Sequence, residues 1–392
     1  MKKRILFVIN SLGCGGAEKS LVSLLTTIDK TKYDISLQMF RVEGMFLKLL
    51  PTGIHIMPEI DFLKSNRGRL WEQLKKPEYF FARMRATVEL RRNRCRKKLH
   101  DAQCYWKYAH KAFNVDKQEY DVAIAWGQGN PTHYVVEKVN AKKKISFINA
   151  DYEAVGHNKK FDYRFYEKCD YIVTVSDKLN EVICEVFPKF KDKIKTVYDI
   201  NNSKLIKNMA LQNNPFSEVK DVFILVTVGR LVKQKGYDLA TEACRILCER
   251  GIKFKWYIVG EGPERTNIEK NIETYGISDY LILVGAKDNP YVYMKNADIY
   301  VQTSKFEGYC LTLGEARILN IPVVSTNFEV VYNQLRDEEN GLIVEQTGEA
   351  IASGIMRMAT DNALRECIIE NLKKEKKGNM EEVEKLYALV EE

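Results

Sequence analysis

The sequence predicts an α/β protein of two doubly wound domains, each a parallel sheet with helices on both faces. Three observations carry that expectation. At 392 residues the chain exceeds what one ordinary core holds, so two domains of about 170–200 residues follow. A hydrophobic fraction of 45% and a charged fraction of 29% are those of a folded globular protein and exclude disorder over most of the chain. Short β-branched and aliphatic runs alternate with helical stretches, and the runs are apolar throughout, the mark of strands covered on both faces.

In order, the first-half runs fall at 5–9, 35–39, 122–125, 145–148, 171–175 and 194–197. Those of the second half fall at 222–228, 254–259, 281–284, 299–301, 323–325 and 342–344. Between the two sets, 201–219 is polar and contains Asn213-Asn214-Pro215, which reads as a linker. The expected domains are therefore 1–200 and 220–372. The last stretch, 373–392, places Met380, Val383, Leu386, Tyr387 and Val390 at helical spacing after a charged run, an amphipathic helix in need of a partner surface.

Other features narrow the class. The chain starts Met1-Lys2-Lys3-Arg4, but the apolar run behind it, 5–9, is too short for a signal-peptide core and reads as a first buried strand. No later stretch is long enough to span a bilayer. Nine cysteines show no CxxC pair and no partnering histidine cluster, which points to reduced thiols in the cytoplasm and to no metal site. Cys244 and Cys248, four apart, read as small apolar packing. The net charge of +8 is uneven: 64–117 alone holds 16 Lys and Arg against 5 Asp and Glu.

Three segments carry chemistry. The first strand empties into Asn10-Ser11-Leu12-Gly13-Cys14-Gly15-Gly16-Ala17-Glu18 ahead of a helix, an arrangement that presents backbone N–H groups to a phosphate or sugar. It also serves as a plain tight turn, and Glu18 stands where a dinucleotide fingerprint needs its third glycine. After the strand at 222–228 come Gly229, Arg230, Lys235 and Gly236, two cations suited to a diphosphate or equally to a solvated loop. The third segment, Ser304-Lys305-Phe306-Glu307-Gly308-Tyr309-Cys310-Leu311-Thr312-Leu313-Gly314-Glu315, follows a strand and opens a helix. Glu307 can accept from sugar hydroxyls and Glu315 from a ribose diol, although Thr312 and Glu315 also spell a capping box.

Gly229-Arg230…Lys235-Gly236, Val259-Gly260-Glu261-Gly262-Pro263, Ala297-Asp298, Ser304…Glu307-Gly308…Glu315-Ala316 and Ile321-Pro322-Val323-Val324 resemble, in order and spacing, family-4 glycosyltransferases. The likeness covers about 220–345 and extends to the first half only through Gly15-Gly16-Ala17-Glu18 and general architecture. It implies the GT-B fold: two Rossmann-like domains facing across a cleft, with the terminal helix packing back on the first. It implies a retaining hexosyl or N-acetylhexosaminyl transfer from a nucleotide diphosphate sugar, UDP-linked by family habit, in bacterial cell-surface polysaccharide synthesis, with no required metal or other cofactor. Arg230 and Lys235 would hold the distal phosphate and stabilise the departing nucleotide. Glu307 would position the donor sugar with the backbone of Gly308, Tyr309, Cys310, Leu311 and Thr312. Glu315 would bind the ribose, Gly229 and Gly260 would allow close approach, and Gly15 and Gly16 would meet the donor from the first domain. Asn149 stands where relatives often carry histidine; Asp151 orients acceptor or donor, or caps the next helix.

Within the basic segment, Phe81, Met84, Val88, Cys95 and Leu99 follow helical spacing among arginines, with Trp71, Phe80 and Trp106 nearby. Such a helix suits an anionic leaflet and a lipid-linked or glycan acceptor; a core stripe or a nucleic-acid patch is the alternative, and no nucleic-acid motif accompanies it. The expected location is the cytoplasm, on the inner face of the cell membrane. Two other readings stay open. One is a nonhydrolysing sugar-nucleotide epimerase, which needs more acid–base groups than five histidines offer. The other is a noncatalytic transferase-like partner subunit.

Overall fold

The structure, a computed structural model, describes residues 2–13, 15–65, 76–96, 98–150, 152, 155–219 and 221–392. Two compact units divide the chain: 1–199 together with 381–392, and 200–380.

The first unit is built on a parallel sheet of β1 (Lys3–Ile9), β2 (Tyr33–Met39), β3 (Ile54–Ile56), β4 (Glu119–Ala125), β5 (Asn140–Ile148), β6 (Tyr171–Thr174) and β7 (Ile194–Thr196). Their spatial order is β3-β2-β1-β4-β5-β6-β7. The connections leave β1 for one side and return to β4 on the other, so the loops after β1 and β4 part at the switch point, where open α/β sheets take ligands. Strand β3 escaped the sequence reading because it is a three-residue edge strand with His55 and Ile56 exposed.

The second unit repeats the plan with β8 (Phe223–Val228), β9 (Phe254–Val259), β10 (Leu281–Gly285), β11 (Ile299–Gln302), β12 (Val323–Thr326) and β13 (Leu342–Val344) in the order β10-β9-β8-β11-β12-β13. Its switch point lies between β8 and β11. Both sheet faces are covered, as the unbroken apolar runs require: Leu225, Trp256 and Val301 join one buried cluster, Val226, Val228 and Tyr300 the other. Cys244 is fully buried in the first of these, in line with a packing role.

Three expectations change. The segment 201–219 is no linker: it forms a helix, Ser203–Ala210, whose Ile206 and Ala210, with Phe216 beyond, are buried in the second unit's core. The boundary at 372 moves to 380, because Glu375 pairs with Arg317 at 2.8 Å and accepts from Asn340 at 2.6 Å. The terminal helix is Glu382–Glu391, and Met380 stays outside it. That helix buries Val383, Leu386, Leu389 and Val390 against the first unit. Lys143 and Lys3 donate to its last-turn carbonyls, Leu389 at 2.9 Å and Val390 at 3.2 Å, which suits the negative end of a helix.

The basic helix runs Pro77–Arg96, and its buried residues are Tyr79, Ala86 and Asn93. The apolar stripe therefore faces outward, with Phe81 60%, Met84 48% and Val88 40% exposed. Trp106 corrects the sequence reading: it is no interfacial ring but a fully buried one, donating to Glu137 at 3.0 Å. Trp71 lies outside the described residues. Among the described residues no helix is long and apolar enough to cross a membrane.

Candidate active site

Two loops at the switch point of the second sheet hold the residues that the sequence singled out. The loop after β8 carries Gly229, Arg230 and Lys235, then turns into the helix Tyr237–Glu249 through Gly236. Gly236 has φ +64°, and a Cβ there would lie 2.0 Å from the Thr303 carbonyl oxygen, so only glycine lets the two loops touch. The loop after β11 carries Glu307 to Cys310 and opens the helix Leu311–Ile318.

Lys235 and Glu307 meet at 2.6 Å, their side chains 17% and 7% exposed. Burial pulls the Lys235 ammonium down, and the Glu307 carboxylate more than offsets it, holding Lys235 charged above the ordinary lysine range. The two oxygens of Glu307 differ. Oε1 accepts from Lys235, from Ser304 at 2.6 Å and from Gln302 at 3.2 Å. Oε2 is met by the Gln234 amide at 3.4 Å and retains acceptor capacity. Arg230 is exposed, with no side-chain hydrogen bond or ion pair among the described residues.

The helix Leu311–Ile318 begins at Cys310, a left-handed residue with φ +66°. Side-chain amides hold the carbonyls around this turn: Gln334 donates to Tyr309 at 2.5 Å and Cys310 at 3.2 Å, and Asn201 donates to Leu311 at 3.2 Å. With those carbonyls tied back, the peptide planes are fixed; Leu313 N–H closes on the Cys310 carbonyl at 3.1 Å, which leaves the Leu311 and Thr312 N–H groups of the first turn for an anion. The capping box does not form. Thr312 lies inside the helix and its hydroxyl donates to Gln302 at 3.2 Å. Glu315 is 1% exposed and accepts from the Tyr291 hydroxyl at 3.0 Å. At Gly260 the demand for glycine comes from the protein itself, since a Cβ would sit 1.9 Å from the Gly229 oxygen.

One set of predicted residues thus gathers in the second unit: Gly229, Arg230, Lys235, Gly260, Glu307, Gly308 to Thr312 and Glu315. Gly15, Gly16 and Asn149 belong to the first unit, and Asp151 lies outside the described residues. Gly15 caps the helix Gly16–Thr27, and the Glu18 carboxylate folds over it, 2.2 Å from where a Cβ would stand. Asn149 follows β5; its amide donates to Trp126 at 3.4 Å, and its backbone N–H donates to Gln128 at 3.0 Å. His133 and His157 both bind the buried Asp162 carboxylate, at 3.0 and 3.1 Å, and all five histidines precede the second unit. Among the described residues no group of three or more His, Cys, Asp or Glu could hold a metal.

The sequence reading missed Gln302, Gln334, Tyr291 and Asn201. Gln302 left a signal, a polar residue continuing an apolar run in a strand meant to be covered on both faces. Nothing in the spacing marked the others.

Comparisons with known proteins bear on the family and the fold. Residues 210–375 match the family described as glycosyl transferases group 1. The chain is 26% identical over 367 residues to N-acetylgalactosamine-N,N'-diacetylbacillosaminyl-diphospho-undecaprenol 4-alpha-N-acetylgalactosaminyltransferase of Campylobacter jejuni, covering 93% of this chain and 92% of that one. It is 26% identical over 237 residues to the capsular polysaccharide biosynthesis glycosyltransferase CapM of Staphylococcus aureus, covering 55% and 60%. Matches to two archaeal relatives from Methanocaldococcus jannaschii span only 41% and 56% of those proteins. The solved structure of Anabaena HepE in complex with UDP and glucose shares the fold with a TM-score of 0.71 at 14% identity, over 98% of each chain. Residues 210–375 therefore match the glycosyl transferases group 1 family, in a chain that has the two-unit α/β fold of the solved glycosyltransferase structures and resembles the glycosyltransferases of bacterial cell-surface polysaccharides.

Proposed function

We propose that the chain is a retaining glycosyltransferase moving a hexose or N-acetylhexosamine from a UDP-linked donor to a glycan or lipid-linked acceptor in cell-surface polysaccharide synthesis. The observation that carries the reading is the buried Lys235–Glu307 pair beside a helix start whose carbonyls are tied back. Cleavage at an anomeric carbon leaves a cationic sugar and an anionic nucleoside diphosphate. Lys235, the neighbouring Arg230 and the N–H groups of the Leu311 turn offer fixed positive charge to the leaving phosphate. Glu307 Oε2 has the remaining capacity to receive a sugar hydroxyl, and Glu315 stands on the Leu311–Ile318 helix for the ribose. The chemistry needs no metal to neutralise the diphosphate if these groups do so. Relatives named for capsule synthesis and for a diphospho-undecaprenol acceptor support the acceptor class.

The outward face of Pro77–Arg96 supports a peripheral place on an anionic membrane. Phe81, Met84 and Val88 are exposed on the same helix as the exposed Arg85, Arg91 and Arg92. Each cation near such a surface contributes about 1 kcal/mol.

The test is a thermal-shift panel of nucleoside diphosphates followed by turnover of the matching sugar donors. UDP is expected to raise the unfolding midpoint, and Lys235→Ala to abolish both the shift and transfer. No stabilisation by any nucleoside diphosphate, or an unchanged shift in Lys235→Ala, refutes the reading.

A further inference from the structure

We propose that Gln302 is a positioning residue for Glu307, locking one carboxylate oxygen so that the other meets the donor sugar at a fixed point. The inference rests on the functional reading above and adds a residue to its site.

Gln302 ends β11 and is 1% exposed. A buried amide is costly unless its polar atoms are paired, and here they are paired on both sides. Its Oε1 accepts from the Tyr300 hydroxyl at 2.6 Å and the Thr312 hydroxyl at 3.2 Å. Its Nε2 donates to the Ser304 hydroxyl at 2.6 Å and to Glu307 Oε1 at 3.2 Å. The ionised carboxylate only accepts, so a flipped amide would set oxygen against oxygen, and the orientation is forced.

The consequence falls on Glu307. With Lys235, Ser304 and Gln302 all donating to Oε1, the carboxylate cannot rotate without losing three hydrogen bonds. Oε2 then keeps one position, beside the Gln234 amide at 3.4 Å. A sugar held by a fixed acceptor spends less of its binding energy on alignment, and errors near 1 Å cost about 100-fold in rate. The network also ties separate elements together. Tyr300 reaches the Val228 carbonyl at 3.3 Å, at the start of the Arg230 loop, and Thr312 lies in the first turn of the Leu311 helix.

The test uses the full chain, with UDP as binding probe and hydrolysis of UDP-N-acetylglucosamine, UDP-glucose and UDP-galactose as the reaction. Gln302→Met keeps the volume and removes the grip on Glu307. It is expected to bind UDP within about twofold of wild type while kcat falls about 10- to 100-fold. Tyr300→Phe leaves Gln302 in place without its best donor, and is expected to show a smaller loss in kcat with the same sparing of UDP affinity. Should the methionine variant not fold, the phenylalanine variant carries the same split. A kcat within twofold of wild type in both variants overturns the proposal, as does an equal loss of UDP affinity and turnover. A wild type that neither binds UDP nor turns over any donor overturns the functional reading first, and this inference with it.

Discussion

At the scale of single residues, burial decides how an ionisable group must be paired. Glu307 and Lys235 pair at 2.6 Å, and the carboxylate holds the buried Lys235 ammonium charged. Asp199 is 8% exposed in the first unit, and burial pushes its carboxyl up to about 7, the Ser20 hydroxyl pulling the other way and the Glu18 charge adding to the rise. An unfolded aspartate releases its proton near pH 3.9, so from about pH 4 to 7 the folded chain holds a proton that the unfolded chain has lost. Stability owed to this group is full below about pH 4, falls as pH rises to about 7, and is level above that. The fall is at most about 1.4 kcal/mol per pH unit. Asp199→Asn removes it, and because His133 and Asp162 titrate alike in both proteins, the difference between their unfolding curves isolates the one carboxyl. Parallel curves from pH 4 to 8 would show that Asp199 is ionised throughout. Legibility at this scale followed chain position. Arg230, Lys235 and Glu307 sit in loops directly after strands, where spacing alone flags them. Gln334 and Asn201 act on the Leu311 turn from 24 and 110 positions away, at Cys310 and Leu311 respectively, a relation that only folding creates.

Among the elements, the helix Pro77–Arg96 shows what periodicity can and cannot decide. Its spacing announced a helix with one apolar side, but hydropathy could not tell which side faces the core. The core side is Tyr79, Ala86 and Asn93, and the asparagine belongs there because it closes the chain: its amide donates to Leu99 at 2.6 Å and its oxygen accepts from Leu99 at 3.1 Å. The richer apolar side is left to solvent, and the proposed membrane contact is tested there. Serine at Phe81, Met84 and Val88 together is expected to change stability by no more than about 0.5 kcal/mol per site, since none of the three is core. The same triple variant should lose binding to phosphatidylglycerol vesicles in a sedimentation assay. Glutamine at Arg91, Arg92, Arg94 and Arg96 should instead remove the salt-sensitive part of that binding. Vesicle binding equal to wild type in both variants would exclude this face as a membrane contact.

For the whole molecule, the decisive feature is that the first unit is discontinuous. The alternation of runs showed two α/β units, because each sheet must be covered on both faces, and it placed the site loops because the connections change direction after β8 and β11. It put the second boundary eight residues early. The reason is that 373–380 is held by hydrogen bonds to distant groups, such as Arg317 and Asn340 on Glu375, and these leave no periodic trace. The terminal helix Glu382–Glu391 consequently belongs to a sheet whose last strand ended nearly two hundred residues earlier. Its contribution there is concrete: Leu386 is 1% and Val390 2% exposed, the Tyr387 hydroxyl accepts from the Asp29 N–H at 2.7 Å, and Lys3 pairs with Glu391 at 2.7 Å. Leu386→Ala should therefore cost about 2–4 kcal/mol through the cavity it leaves. Deleting 381–392 goes further, because it uncovers apolar surface beside β1, β2 and β5 together with the carbonyl partners of Lys3 and Lys143. The expected result by hydrogen exchange is loss of amide protection in β1, β2 and β5, with protection in β8 to β13 kept at the level of the intact chain. A loss spread equally over both sheets would mean that the chain unfolds as a single cooperative body. Protection unchanged in β1, β2 and β5 would mean that the helix rests on the first unit without stabilising it.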